Sequence, residues 1–161
     1  MKNARMLLVA VFIVGVGQFV SGDQPLARKK EQQLTRNRLH ISVQAICPVS
    51  GEKLGAHGTP IKVAVGKKKE EVFLCCQACL KQRLDAKHWA TIHANFDKAQ
   101  RICPVMKKPL PKNLKWTIVK GQIVYVCCPP CTKKIAAKPK TYLQQVDELY
   151  TASLRTKRVR R

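Results

Sequence analysis

Acidic residues are scarce in this sequence. Nine Asp and Glu stand against 31 Lys and Arg, which gives a formal net charge of +22 over 161 residues. The sequence shows no paired-carboxylate motif, no Ser/His/Asp pattern and no glycine-rich phosphate loop, so it offers little for acid–base or nucleophilic catalysis. We therefore expect a protein that is not an enzyme. The excess positive charge favours anionic partners, such as an envelope surface or an acidic protein.

Long hydrophobic runs are also missing, apart from one at the N-terminus. Two basic residues precede an apolar stretch at 6–20, which is shorter than the ~20 residues that a membrane-spanning helix needs. Small residues follow at positions suited to cleavage before Asp23. The pattern predicts a secretory signal peptide and an exported chain, periplasmic or secreted. The alternative is a membrane anchor formed by residues 6–20.

One pattern occurs twice in the rest of the chain. The first copy runs from "ICPVSGEKLG" to "VFLCCQACL", and the second runs from "ICPVMKKPL" to "VYVCCPPCT". In each copy a Cys-Pro turn, an alternating strand, a Gly turn and a second strand lead to Cys-Cys-x-x-Cys, which predicts a β-hairpin. A helical period follows, with Asp85 as N-cap in copy one and Pro139 at the first helical position in copy two. The predicted fold class is α+β.

The pattern divides the chain into five segments. A polar lead-in is expected to be flexible or weakly helical, with His40 as a surface residue. Each repeat is small enough to need disulfides or metal for stability. The segments are a signal peptide at 1–22, a basic flexible lead-in at 23–45, module 1 at 46–100, module 2 at 101–150 and a basic tail at 151–161.

The eight cysteines allow two interpretations. An oxidising compartment and an even count favour disulfides. Cys-x-x-Cys spacing near a helix start, with a distant Cys-Pro turn, favours a thiolate site for Zn²⁺ or Cu⁺. The candidate metal ligands are Cys47, Cys75, Cys76, Cys79, Cys103, Cys127, Cys128 and Cys131.

Other side chains lie close in sequence to these cysteines. Ser50 and Met106 occupy the position where a four-cysteine site would carry its second ligand. Met106 is either a soft thioether ligand that suits Cu⁺ or a core filler. His57 could complete the first site, or it could be a solvated loop residue. His88 and His93 lie five residues apart on a predicted helix and do not share a face, so neither is expected to be a ligand.

The repeats resemble the TRASH/YHS-like heavy-metal-binding domains. That family pattern is a Cys, some two dozen residues, Cys-x3-Cys and a helix opening "NPxxY". "KPKTYL" in copy two matches this ending with Lys for Asn, whereas copy one reads "LDAKHWATI". The resemblance implies two tandem treble-clef modules, each with a Cys-Pro turn, a β-hairpin and a C-terminal helix. It implies metal trafficking, sequestration, resistance or sensing, with ligands Cys47, Cys75 and Cys79 in copy one and Cys103, Cys127 and Cys131 in copy two.

The adjacent cysteine of each pair leaves a question open. Zinc-site spacing favours Cys76 with Cys79, whereas the resemblance favours Cys75 with Cys79. Two other classes of function compete with metal binding. A thiol–disulfide oxidoreductase would use Cys-x-x-Cys, but the strand–helix order of a thioredoxin-like core is missing. A nucleic-acid-binding zinc module would suit the charge, but the predicted signal peptide argues against it.

Overall fold

The computed structural model describes residues 24–159, in which four α-helices and two antiparallel two-stranded sheets form a small α+β fold. The predicted signal peptide lies outside these residues. Within them, no helix is both long and apolar enough to cross a membrane. The helices are α1 (Gln24–Gln44), α2 (Ala86–Gln100), α3 (Pro129–Ala137) and α4 (Pro139–Val159), with a 3-10 helix at Gln77–Lys81; the strands are β1 (Ile61–Val65), β2 (Glu70–Leu74), β3 (Lys115–Val119) and β4 (Gln122–Val126).

The polar lead-in folds as helix α1. Its C-terminal half is docked on α4, because Arg36 Nε lies 2.9 Å and His40 Nε2 lies 2.8 Å from the Asp147 carboxylate. Val43, near its end, is buried. The structure therefore has a docked helix where composition suggested a flexible segment, and it makes His40 a packed residue rather than a surface one. Composition alone misses this because the contacts that hold the helix lie at one end and are distant in sequence.

Both predicted hairpins are confirmed. β1 pairs with β2 from Ile61 opposite Leu74 to Val65 opposite Glu70, and β3 pairs with β4 in the same way. The second hairpin turns through Lys120 and Gly121, whose φ angles of 49° and 81° are those of a two-residue turn that matches strand twist.

The second hairpin turn rests on the first hairpin. Glu71 of β2 donates its backbone N–H to the Gly121 carbonyl at 2.7 Å. A Cβ atom at Gly121 would displace the Glu71 side chain. The glycine is required chiefly by its backbone conformation, since its φ is 81°.

The predicted starts of α2 and α4, the long helix at the end of each module, are confirmed. The Asp85 side chain caps α2 by accepting the N–H of His88 at 2.9 Å. Helix α4 begins at Pro139. Proline is tolerated there because the N–H groups of the first turn make no hydrogen bond within the helix. Helix α2 buries Ile92 and Phe96, as its period predicts.

The buried face of α4 is displaced from the predicted one. The sequence period placed Tyr142, Val146 and Leu149 on the core side, and only Val146 of these is fully buried. Leu143 and Tyr150 complete the stripe instead. Helix α4 contacts α1, α2, α3 and β4, so its apolar face is set by several neighbours rather than by its period alone.

The apolar core has two parts of unequal size. The larger part joins α1, α2, the second hairpin, α3 and α4 around buried side chains such as Ile92, Val124 and Tyr150. The smaller part lies in the first repeat and consists of Cys47, Leu54, Phe73, Leu74, Cys75 and Cys79. Cysteine side chains therefore make up half of this smaller part of the core. The stability of the first repeat thus depends on whether its cysteines are free, bonded to each other or bound to metal.

Three largely buried polar side chains connect the two hairpins through α2. His93 Nδ1 lies 2.7 Å from the Tyr125 hydroxyl, which in turn donates to the His93 carbonyl at 3.0 Å. His93 Nε2 lies 3.6 Å from Glu70 Oε1. Burial lowers the pKa of His93 and raises the pKa of Glu70. Both side chains are thus favoured in their neutral forms in the folded protein.

Candidate metal centres

The first three-sulfur cluster, site 1, is built from three different local structures. Cys47 opens a turn, knuckle 1 (residues 47–52), in which its N–H donates to the Glu52 carbonyl at 2.8 Å. Cys75 directly follows β2, and Cys79 lies in the 3-10 helix. Their sulfurs all lie within 4.8 Å of one another, and all three residues are buried. Site 1 therefore brings together the three cysteines that the family resemblance implies.

Site 2 repeats this arrangement in the second module. Cys103 opens knuckle 2 (residues 103–108), Cys127 follows β4, and Cys131 lies in the first turns of α3. Their sulfurs also lie within 4.8 Å of one another, with Cys127 only partly buried. The Cys103 N–H donates to the Lys108 carbonyl at 2.9 Å, as Cys47 does to Glu52. The two sites are thus structural equivalents.

The sulfur separations match those of a metal–thiolate site. In site 1, Cys79 Sγ lies 3.8 Å from Cys47 Sγ and 3.6 Å from Cys75 Sγ. In site 2, Cys131 Sγ lies 3.8 Å from Cys103 Sγ and 3.9 Å from Cys127 Sγ. Metal–sulfur bonds of about 2.3 Å place sulfurs about 3.8 Å apart in tetrahedral geometry and about 4.0 Å apart in a trigonal plane. Both groups could therefore hold one metal ion each.

A fourth sulfur borders each cluster. Cys76 Sγ lies 3.8 Å from Cys75 Sγ and 3.7 Å from Cys79 Sγ. Cys128 Sγ lies 3.7 Å and 3.2 Å from the corresponding atoms of site 2. Both residues are partly exposed, and no two of the eight cysteines are bonded to each other in the structure. The structure thus groups Cys75, rather than Cys76, with the knuckle cysteine, and places Cys76 at the solvent side.

The knuckle cysteines are the thiols best prepared to ionise. Burial opposes ionisation of Cys47, but backbone N–H groups of Ser50, Cys75 and Val49 outweigh it and lower its pKa to about 7. The pKa of Cys103 is also lowered, because backbone N–H groups in and opposite its knuckle outweigh its burial. These backbone contacts favour the thiolate form of each knuckle cysteine.

The pKa values of the other thiols shift in both directions. Burial raises the pKa of Cys79 and of Cys131, and neighbouring thiols add to the effect. The pKa of Cys76 is lowered by the backbone N–H of Cys79, and that of Cys128 by the thiol of Cys131. The protonated form of Cys79 and Cys131 is thus favoured, and metal binding at these two sulfurs must release protons.

The side chains around the two sites differ. In site 1, Ser50 Oγ lies 3.4 Å and Glu52 Oε2 lies 3.9 Å from Cys75 Sγ. His57 does not join the three sulfurs; its Nε2 lies 3.0 Å from Glu52 Oε2. In site 2, Met106 replaces Ser50 and its side chain is 44% exposed. The interpretation of Met106 as a core filler is therefore wrong.

Two buried glutamines that sequence reasoning missed hold the ligand segments together. The Gln44 amide donates to the carbonyls of Ile46 and Phe73 at 2.9 and 2.7 Å, and it accepts the Phe73 N–H at 2.9 Å. Ile46 precedes the knuckle cysteine, and Phe73 lies two residues before Cys75. One side chain thus connects the two segments that supply sulfurs to site 1.

Gln100 makes the same three contacts in site 2. Its amide donates to the carbonyls of Ile102 and Tyr125 at 3.1 and 2.7 Å and accepts the Tyr125 N–H at 2.9 Å. Both glutamines are fully buried. The repeat in the sequence is therefore "QxICPV" rather than "ICPV", and extending the alignment by two residues would have found it. The predicted boundary at 100/101 separates Gln100 from the knuckle that it supports.

His88 packs against knuckle 1, beside site 1. His88 Nδ1 lies 3.2 Å from the Val49 carbonyl in knuckle 1. Gly51, with a φ of 74°, lies so close that a Cβ atom there would be 2.5 Å from His88 Nε2. The Asp85 N–H donates to the Pro48 carbonyl at 2.9 Å. The start of α2 thus braces knuckle 1.

Comparisons with protein families, with curated proteins and with solved structures find no match to this chain. What can be said of its function therefore depends on the geometry of the two cysteine sites and on the sequence patterns described above.

Proposed function

We propose that this chain is an exported, non-enzymatic protein that binds soft metal ions, Zn²⁺ or Cu⁺, and serves metal trafficking, sequestration or resistance. The observation that carries the proposal is the repetition of one three-sulfur geometry in both modules. Cys79 Sγ and Cys131 Sγ each lie 3.6–3.9 Å from the other two sulfurs of their cluster. Thiolates at these separations suit borderline and soft cations. A partly exposed fourth sulfur gives an incoming or leaving metal an exchange ligand.

The same geometry supports a treble-clef description of each module, as in the TRASH/YHS-like domains. Each site combines a Cys-Pro knuckle, a hairpin whose second strand leads into a cysteine pair, and a helical turn that carries the last cysteine. Small modules of this kind gain stability when metal joins the knuckle to the helix.

The decisive experiment measures metal and thiols on one sample. The full chain, purified without oxygen, is analysed for bound Zn and Cu, then stripped of metal and alkylated without reductant. We expect two metal equivalents per chain and labelling of all eight cysteines. Cys79→Ser and Cys131→Ser should each remove one equivalent. If no cysteine is labelled until a reductant is added, the chain holds disulfides and the proposal fails.

Export and partner choice have their own tests. Cleavage before Asp23 predicts that protein recovered from the envelope or the medium has the mass of residues 23–161; retention of residues 1–22 would point to an anchor. The partner we propose for the basic C-terminal end is an anionic envelope surface or an acidic metal-handling protein. The exposed side chains of Arg155 and Lys157 on α4 support it. Binding to anionic vesicles or acidic proteins should weaken as salt rises.

A further inference from the structure

The two sites carry opposite charges at equivalent positions. The N–H of each knuckle cysteine donates to the carbonyl of the residue five positions on, which is Glu52 in site 1 and Lys108 in site 2. A carboxylate in the first knuckle therefore corresponds to an ammonium group in the second. The three-sulfur geometry is shared, so the two knuckles differ in charge while the arrangement of the sulfurs is the same.

Two side-chain oxygens lie beside Cys75 in site 1. Glu52 Oε2 lies 3.9 Å from Cys75 Sγ, and Ser50 Oγ lies 3.4 Å from the same sulfur. The Glu52 carboxylate is also within 3.0 Å of His57 Nε2. These are the donors that a divalent ion of borderline softness accepts beside thiolates, as Zn²⁺ does.

Knuckle 2 carries a softer side chain and more positive charge at the equivalent positions. Met106, a thioether, takes the place of Ser50 and is 44% exposed. Lys107 follows it and donates its Nζ to Gln145 Oε1 at 2.9 Å, and Lys108 takes the place of Glu52. Three thiolates with a monovalent cation carry a net charge of −2, whereas with a divalent cation they carry −1. A neighbouring ammonium group thus favours the monovalent complex, and a neighbouring carboxylate favours the divalent one.

We infer that Glu52 is a specificity-determining residue that raises the Zn²⁺/Cu⁺ affinity ratio of site 1 above that of site 2, where Lys108 takes its place. The inference rests on the proposed function, since it assumes that the cysteines bind metal. It goes further by predicting a different metal preference for each module. Because thiolates bind Cu⁺ more tightly than Zn²⁺ at any such site, the measured quantity is the ratio of the two affinities.

The size of the effect follows from the distances. A metal about 2.3 Å from Cys75 Sγ lies within about 6 Å of Glu52 Oε2. At that distance, even with the dielectric constant of water, removing one charge changes the Zn²⁺/Cu⁺ affinity ratio by about threefold, and reversing it changes the ratio by about tenfold.

The experiment isolates each site in the full chain. Cys131→Ser leaves site 1 and Cys79→Ser leaves site 2; both are titrated without oxygen against chelators of Zn²⁺ and of Cu⁺. We expect a higher Zn²⁺/Cu⁺ affinity ratio at site 1. In the Cys131→Ser background, Glu52→Gln should lower the ratio at site 1 about threefold and Glu52→Lys about tenfold. In the Cys79→Ser background, Lys108→Glu should raise the ratio at site 2.

Glu148→Lys is the matched control, because it makes the same charge change on the exposed face of α4. Equal ratios at the two sites, or a Glu52→Lys effect no larger than that of Glu148→Lys, would overturn the inference while leaving metal binding intact. Failure of either site to take up either metal would instead overturn the proposed function, and the inference with it.

Discussion

Replacing Gln44 with methionine tests whether the buried amide positions the ligands of site 1. The two side chains have similar length and volume, so the change removes hydrogen bonds without opening a large cavity. Three bonds of 2.7–2.9 Å are lost, and the Phe73 N–H and the carbonyls of Phe73 and Ile46 lose a partner. At about 1 kcal/mol per bond, with a larger cost for groups that stay buried and unpaired, the free energy of unfolding should fall by about 3 kcal/mol or more.

The effect on metal binding should be confined to one site. Residues that orient metal ligands typically change affinity by about 10–100-fold when they are replaced. We therefore expect Gln44→Met to weaken site 1 by that factor and Gln100→Met to weaken site 2, each leaving the other site within about twofold. Urea unfolding of the reduced, metal-free chain gives the stability, and chelator competition on Cys131→Ser and Cys79→Ser backgrounds gives the affinities.

A control and a contrary outcome complete the test. Gln32→Met makes the same chemical change on the exposed face of α1 and should change neither quantity. If Gln44→Met lowers stability while site 1 keeps its affinity, the glutamine is only a structural residue. Equal weakening of both sites would show that the change acts on the whole fold rather than on one set of ligands.

Three further predictions concern single residues. Cys75→Ser should abolish metal binding at site 1, whereas Cys76→Ser should keep affinity within about tenfold but slow transfer to a chelator; equal losses would mean that all four sulfurs coordinate. Burial lowers the pKa of His93, so its contribution to stability is present above about pH 6.5 and is lost as pH falls below it. The free energy of unfolding in urea, measured between pH 4.5 and 6.5, should depend less on pH in His93→Gln than in the unsubstituted chain, and an equal pH dependence would contradict this. Gly51→Ala should cost at least about 1–2 kcal/mol because of its φ of 74°, and unchanged stability would refute this.

Local patterns predicted the parts of the fold that are set locally. The Gly turns, the alternating strands and the Asp85 cap each act within a few residues, and the structure confirms both hairpins and both helix starts. Of the site, the repeated pattern marked the eight cysteines as candidate ligands, and the family resemblance, rather than the spacing, grouped Cys47 with Cys75 and Cys79. A duplicated pattern thus carries information that one copy would not.

The remainder depends on partners that are distant in sequence. Gln44 meets Phe73, 29 residues away, and Gln100 meets Tyr125, 25 residues away, so neither amide is recognisable from its neighbours. Composition predicted a flexible or weakly helical lead-in in place of α1, because the contact that docks this helix, from His40 to Asp147, spans 107 residues. The buried face of α4 differs from the predicted one for the same reason, since several neighbouring elements decide it.

The arrangement of polar groups around the sulfurs distinguishes a binding site from a cysteine-rich core. Thiols that only fill space behave as small hydrophobes and need no hydrogen bonds. Here, backbone N–H groups of each knuckle point at the sulfur of Cys47 or Cys103 and favour its thiolate form. A buried thiolate without a counter-charge is unfavourable, and a second one less than 4 Å away adds repulsion. A fold that favours ionisation at the knuckle and surrounds it with more sulfurs is therefore most stable when a cation lies among them.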